Sequence, residues 1–295
     1  MANDVSLPRI SSATGELKTD RGRDARRHTS IDTVIRGFPF RGYMEPMRDA
    51  YEAISANCLR LLPPGSRILD FGAGPCEKAA ILSLLGYQCT AVDDFKDDWH
   101  QIAGNREKML DFAKVHNVEL IVNEGVPSSL PKSSFAMVMM HDVIEHFADS
   151  PRALLIALIE LLQPGGYLYV TAPNAVNLRK RLLVLGGRTN YPRYPAYFWS
   201  GEVWRGHKRE YVKDDFALLC KFLGLRPVLL KGEHHRMRAL PPWARGIFRF
   251  TIGRIDSLRD TVALIAQKPR EWTPVEISSA EYRQIQRAES FYPFE

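Results

Sequence analysis

The chain has 295 residues, 45% of them hydrophobic, and 40 Lys and Arg against 34 Asp and Glu give it a net charge of +6. That length and apolar content can bury the core of one large domain with insertions or of two modest ones, which excludes a wholly disordered or fibrous chain. The longest apolar run, Ala153 to Leu162, is too short to span a bilayer and contains Glu160, and no secretory segment follows Met1, so a soluble cytoplasmic protein is expected. The four cysteines, Cys58, Cys76, Cys89 and Cys220, have no CxxC or Cys/His spacing, so neither a metal site nor a disulfide framework is expected.

In chain order, residues 1–30 mix Ser, Thr, Gly and charges without an apolar run and are expected to form a disordered tail. Residues 31–66 form a helical lead-in, with Tyr51, Ile54, Leu59 and Leu62 apolar and Pro63-Pro64-Gly65 as its stop, that packs on the domain or covers its site. Arg67 to Cys76, RILDFGAGPC, then reads as strand, tight glycine turn and helix start. Glycines at 72 and 74 permit positive φ and close backbone approach to a ligand, and the helix over 77–85 opens with N–H groups that lack partners. A dinucleotide fingerprint would place a third glycine at position 77, where this chain has Glu77. A cofactor without a pyrophosphate fits better.

A second strand, Gln88 to Val92, leads to Asp93 and Asp94, with Asp93 standing 19 residues after Gly74. A carboxylate at that strand end can accept both hydroxyls of a ribose; the alternative is a cap for the helical segment after Asp97. A helix near Trp99 to His116, a strand over Glu119 to Val122 and a buried parallel strand from Phe135 to Met140 follow. The last of these ends in His141, Asp142, Glu145 and His146, ionisable groups crowded at one strand end. Ser150-Pro151 starts the next helix, Gln163-Pro164-Gly165-Gly166 stops it, and Tyr167 to Ala172 is the fifth strand. Alternating strands and helices of these lengths predict an α/β fold, a Rossmann-like, mostly parallel sheet with helices on both faces.

The pattern breaks over residues 174–211, an insertion rich in Pro, Gly and aromatics that is expected to bury part of itself as a lid over the fifth strand's end. Charge is uneven: residues 67–173 carry 8 Lys/Arg against 14 Asp/Glu, and residues 179–213 carry 9 against 2. The basic stretch is either a solvated surface or a face for an anionic partner. A helix with Phe216, Leu219, Cys220 and Leu223 on one face, a strand near Pro227 to Lys231 and a closing strand from Thr261 to Lys268 complete the core. Leu240 to Ile255 reads as an amphipathic element packed on the sheet or on a second subunit of a homodimer. The core domain is placed at residues 67–270, and residues 271–295 form a tail.

The segments ILDFGAGPC, AVDDF, SLPKSSFAMVMMHDVIEHFADSPRALLIALIELLQPGGYLYVTAPN, GHKREYVKDDFALLCKFLGL and TVALIAQKP, in this order, resemble the class I S-adenosylmethionine-dependent methyltransferases, especially their small-molecule type-11/type-23 branch. The resemblance implies seven strands with the last antiparallel, and S-adenosylmethionine as cofactor. It implies that Asp70, Gly72 and Gly74 border the methionine part of the cofactor, that Asp93 takes the ribose with Asp94 beside it, that Glu124 flanks adenine, and that His141 faces the sulfonium. The chain departs from the pattern at Cys76, where glycine is frequent, at Ala136, where Asp is usual, and in the adenine loop.

Methyl transfer needs in-line alignment of nucleophile, methyl and sulfur, and a base only where the nucleophile carries a proton. His141, His146 and His207 are the candidate bases, and Asn174, Tyr194 and Trp199 the candidate substrate contacts. The expected activity is O-methylation of a small acceptor, acidic or phosphate-bearing to suit the basic lid. The alternatives are an RNA methyltransferase, with RNA held by the aromatic basic insertion, and a non-catalytic cofactor-binding subunit.

Overall fold

The apolar runs read as strands form one seven-stranded sheet. The computed structural model describes residues 21–289 apart from 190, 202, 236, 238–240, 242, 244 and 247–251. The strands are β1 (Arg67–Phe71), β2 (Gln88–Asp93), β3 (Glu119–Val122), β4 (Phe135–His141), β5 (Leu162–Pro173), β6 (Arg226–Glu233) and β7 (Thr261–Gln267), in the order β3-β2-β1-β4-β5-β7-β6. The first five run parallel, and β7 is antiparallel to both its neighbours. Strand order reverses between β1 and its neighbours β2 and β4, which opens a crevice beyond the carboxyl ends of these strands.

Alternation along the strands sorts the core into two layers. Ile68, Met137, Met139, Tyr169 and Ile265 face α1 (Arg21–Gly37), α2 (Arg48–Leu61), α3 (Glu77–Leu84) and α4 (Asn105–Val115). Leu69, Val138, Met140, Leu168, Val170 and Leu264 face α5 (Arg152–Leu161) and the helix that precedes β6. All seven residues of β4 are buried, as its unbroken apolar run predicts. No described helix is long and apolar enough to cross a membrane.

The structure moves several expected boundaries. Helix α1 begins at Arg21, so residues 21–30 belong to the helical cover rather than to the tail; residues 1–20 lie outside the described set. Helix α4 starts at Asn105 instead of Trp99, because Gly104 before it takes a left-handed φ of 81° that no helix can continue through. Ser150 Oγ accepts the Arg152 N–H at 3.4 Å, which sets α5 one residue later than the Ser150-Pro151 pair suggests. Half of the amphipathic element expected at Leu240 to Ile255 lies outside the described residues.

The insertion starts and ends at one point. Asn174 and Tyr211 form an isolated parallel bridge, and Ala175 N–H donates to Tyr211 O at 3.0 Å, so the loop leaves the sheet and returns to it side by side. Between them lie α6 (Leu178–Leu185), capped by the Asn177 side chain on Lys180 N–H, and the single-turn α7 (Tyr194–Phe198), before α8 (Lys213–Phe222) rejoins the core. The tip does not bury itself: Tyr194 is 68% exposed, Tyr197 55% and Trp199 80%. A five-residue helix carrying a proline is too short to present an apolar face to the sheet, and its aromatics pack on one another instead.

Candidate active site

A cleft of about 1100 Å³ lies across the carboxyl ends of β1, β2 and β4, roofed by residues 42–51 of the cover and by the returning limb of the lid at residues 203–208. Its floor is the glycine turn. Gly72 and Gly74 take φ of 69° and 53°, and a Cβ on Gly72 would meet Val143 Cγ2 at 2.4 Å, so only glycine lets the turn pass under the end of β4. Cys76, where glycine is frequent in the resembling family, also sits left-handed at φ 64°, and its side chain is buried against the core.

Asp93 ties this turn to β2. Its Oδ2 accepts Gly74 N–H at 2.7 Å and its Oδ1 accepts Phe95 N–H at 2.8 Å, and it lines the cleft with lone pairs to spare. Burial raises its pKa against the pull of those two donors. Asp94 also borders the cleft but is held by the lid: Arg205 reaches across with Nη2 3.1 and 3.0 Å from its two oxygens, and with Nε 3.0 Å from Asp97. Glu124 stands at the exposed rim, paired with Lys96.

Asp70 is not in the cleft wall. It is buried behind the turn with neither carboxylate oxygen hydrogen-bonded, and burial pushes its pKa up to about 7 although Lys78 nearby pulls it down. At the start of α3, Glu77 and Lys78 form a 2.8 Å ion pair facing the cleft, with Tyr51 Oη donating to Glu77 at 3.4 Å. One positive and one negative charge side by side match a zwitterionic amino-acid end. The residue that argues against a pyrophosphate therefore has a positive use here. Together with Asp93 and the open turn, this donor set fits S-adenosylmethionine.

Of the candidate bases, His141 is fully inside. Its Nδ1 lies 3.0 Å from Thr171 Oγ1, its ring packs on Tyr169, and its Nε2 has no protein partner. Burial, then Lys78 and His235, hold its pKa well below the ordinary histidine value, so it is a neutral ring and a feeble proton acceptor. His146 lines the other wall, and His207, outside the lining, packs on it with ring centroids 5.0 Å apart. Between them sits Glu145, fully buried, its oxygens without hydrogen-bond partners, Oε1 4.0 Å from His146 Nε2 and 3.9 Å from His207 Nε2. Burial, with the charge of Asp142 beside it, pushes the Glu145 pKa up to about 8. No metal ligands were expected from the spacing of the cysteines, yet these three side chains converge with donor atoms all within 4.8 Å of one another.

The expected substrate contacts fare differently. Asn174 is buried and structural: its amide donates to Ser257 O at 3.0 Å and Arg259 O at 2.8 Å, and its Oδ1 accepts Val176 N–H. Tyr194 and Trp199 stand on the exposed tip, outside the cleft wall. The basic charge of the lid does not gather at the cleft either. Lys180 pairs with Glu210, Arg209 with Asp215, Lys213 with Asp256 and Arg205 with Asp94 and Asp97, leaving Lys208 as the other lid cation that reaches the cleft wall. Residues that sequence reasoning did not single out for the site are Tyr43, Glu77, Lys78, Glu145, Trp204 and Arg205. Glu145 was visible in the crowded strand end, and Arg205 only as one of a basic run.

An open parallel sheet with a glycine turn after β1, an acid after β2 and an antiparallel β7 is the architecture of a class I methyltransferase. The profile of the methyltransferase-domain family matches residues 43–230, and the chain belongs to that family, whose members use S-adenosylmethionine. Among curated proteins it is 28% identical over 151 residues to a ubiquinone biosynthesis O-methyltransferase of Xanthomonas campestris pv. campestris, and 30% identical over 150 residues to one of Xanthomonas axonopodis pv. citri. Each match covers 48% of this chain and 56% of the relative, so the chain spans little more than half the length of these proteins. Two solved structures share the fold: a SAM-dependent methyltransferase from Archaeoglobus fulgidus, 18% identical, TM-score 0.50, covering 77% of this chain and 98% of that one; and the [4+2]-cyclase SpnF, 15% identical, TM-score 0.51, covering 84% and 95%.

Proposed function

We propose that the protein is an S-adenosylmethionine-dependent O-methyltransferase acting on a small hydroxylated acceptor. The observation that carries this reading is Glu145, a buried carboxylate flanked by two imidazoles, one of which, His146, lines the same cleft as the Glu77–Lys78 pair and Asp93. Asp93 would hold the ribose, Glu77 and Lys78 the amino-acid end, and Tyr43 and Tyr51 would shield that end from water. When bound, the cofactor supplies an electrophilic methyl group. The chain's own part is to align a hydroxyl against it and to take up the hydroxyl proton, for which the Glu145–His146–His207 cluster is better placed than the neutral, deeply buried His141.

The names of the curated relatives support oxygen as the methylated atom. An acidic or phosphate-bearing acceptor has less support, because, of the lid's described cations, Arg205 and Lys208 line the cleft, and Arg205 is engaged by Asp94 and Asp97. A cytoplasmic location goes with this reading. Calorimetry with S-adenosylmethionine and S-adenosylhomocysteine should show one site that Asp93→Ala abolishes, and labelled methyl transfer into fractionated extract should mark a small molecule. If neither compound binds, the reading falls. An RNA acceptor is the second reading, favoured by the exposed aromatics and arginines of the lid tip. It predicts salt-sensitive RNA binding lost on deleting residues 188–201.

A further inference from the structure

Glu145, His146 and His207 do not behave as three unrelated polar groups. A carboxylate with no accessible surface and no hydrogen-bonded oxygen would lose several kcal/mol as an ion in that place unless a cation or a proton compensates it. The two imidazoles facing it are oriented from behind. His146 Nδ1 lies 2.6 Å from Arg205 O, so Nδ1 carries the hydrogen and Nε2, turned to Glu145, carries the lone pair. His207 Nδ1 lies 2.9 Å from Glu210 Oε1, and Glu210 is itself paired with the buried Lys180. A carboxylate behind a histidine that points its other nitrogen at a second carboxylate is the outer shell that fixes tautomer and ring orientation at metal sites.

The backbone locks the arrangement. Lys208 and Arg209 N–H both donate to Glu145 O, at 2.7 and 3.2 Å, so the lid limb carrying His207 is stitched to the strand end carrying Glu145 and His146. The charge around them agrees, since Asp142 and Asp149 stand on the same stretch of cleft wall.

We infer that Glu145, His146 and His207 form a binding site for a divalent first-row transition cation, adjoining the methyl-transfer cleft at His146, where its open coordination positions lie. Bonds of about 2.0–2.2 Å require donor atoms about 3–3.5 Å apart, so Glu145 closes on each imidazole by about 0.5–1 Å and the widest pair, within 4.8 Å, by no more than about 1.8 Å. Two imidazoles and one carboxylate favour zinc, manganese or iron(II) over magnesium or calcium, which prefer oxygen. With the cation bound, the three side chains act through it and no longer as the base themselves: the open positions take the acceptor's hydroxyl, whose O–H bond breaks as the oxygen binds the cation, and the proton leaves to solvent. This last role rests on the methyl-transfer reading; the cation site itself does not.

The test uses the full-length protein stripped with chelator. Equilibrium dialysis with zinc or manganese should saturate at one cation per chain, and cobalt(II) should give the absorption bands of a nitrogen- and oxygen-ligated centre. His146→Ala and His207→Ala should abolish saturation while calorimetric binding of S-adenosylmethionine persists. Glu210→Gln, which takes the charge from behind His207 and from Lys180, should weaken the cation about 10–100-fold while S-adenosylmethionine still binds, with a lower melting temperature. That arm stands even if a histidine variant fails to fold.

Absence of a saturable cation, or one bound equally well by every variant, overturns the site, as does a histidine variant that only melts earlier and binds the cation as before. Methyl transfer that is indifferent to the bound cation overturns its role on the acceptor. A cation at these residues in a protein that fails to bind S-adenosylmethionine would overturn the methyl-transfer reading and leave the site standing.

Discussion

The two walls of the cleft are built on opposite principles. The wall made by β1, β2 and the start of α3 is backbone geometry: a turn that only glycine can make, held by a carboxylate on its own N–H groups. The wall made by the lid is side-chain geometry, a limb with little regular structure that stays in place through Arg205 on Asp94 and Asp97, His146 on Arg205 O, and His207 on Glu210. The first tolerates no change of shape and serves a cofactor that the whole family shares. The second can be rebuilt residue by residue without disturbing the sheet.

Two glycines with the same backbone angle give the sharpest way to break that comparison. Gly72 and Gly187 both have φ of 69°, but a Cβ at 72 strikes Val143 while one at 187 meets nothing within 4 Å. Gly187→Ala carries only the left-handed penalty of about 1–2 kcal/mol. Gly72→Ala adds overpacking, for a total of about 2–5 kcal/mol, and should lose cofactor binding as well. Thermal melts and calorimetry read both, and equal losses would show that the cofactor wall is not the more constrained one.

Asp70 gives a second test, on the cofactor side and with a sign. Its folded pKa of about 7 lies above its unfolded value, so between about pH 4 and pH 7 the folded state holds a proton that the unfolded state has released. Stability therefore falls as pH rises through that window. In Asp70→Asn this component disappears, so the wild type should lose about 2–3 kcal/mol relative to the variant between pH 5 and pH 8. Parallel pH profiles for the two would mean that Asp70 is paired or solvated.

The difference between the walls also explains what the chain reveals before folding. Ile68 to Gly74, Asp93 and the apolar run of β4 were legible because hydrophobic period, glycine and carboxylate position are local properties, and the sheet order follows from them with few alternatives. Asn174 was ambiguous, because a polar residue just past a strand end looks the same in sequence whether it faces a ligand or ties down a neighbouring loop, as Asn174 does at Ser257 and Arg259. Trp199 and Tyr194 were misread because aromatic content reports that burial would be favourable, while the length of α7 decides whether it occurs. His207 was chosen for its residue type, but its partner Glu145 lies 62 positions earlier, a separation that no local pattern carries.

The lid contacts are expected to contribute to kinetics more than to stability. Arg205 and its carboxylate partners are partly exposed, with side-chain accessibilities of 39% against 24% and 48%, so their pairs contribute only about 0.2–1 kcal/mol each. Arg205→Ala should move the melting temperature little. Because the same residue closes the cleft over Asp94, S-adenosylmethionine should leave several-fold faster, which stopped-flow displacement would measure. An unchanged off-rate accompanied by a large stability loss would make Arg205 a structural residue of the strand end and not a clasp.

The smallest expected effect belongs to the lid tip. Trp199 is 80% exposed and packs its ring on Phe198, so Trp199→Ala should stay within about 0.5 kcal/mol of wild type and leave cofactor affinity unchanged. A small acceptor held at Glu145 would be methylated at the normal rate by this variant, because Trp199 is not part of the cleft wall. An extended acceptor that leaves the cleft along the lid would not. Its KM should rise about tenfold or more, the loss expected when a stacked base or ring gives up about 1–3 kcal/mol. The ratio of KM values for variant and wild type thus measures how far the acceptor reaches beyond the site that modifies it.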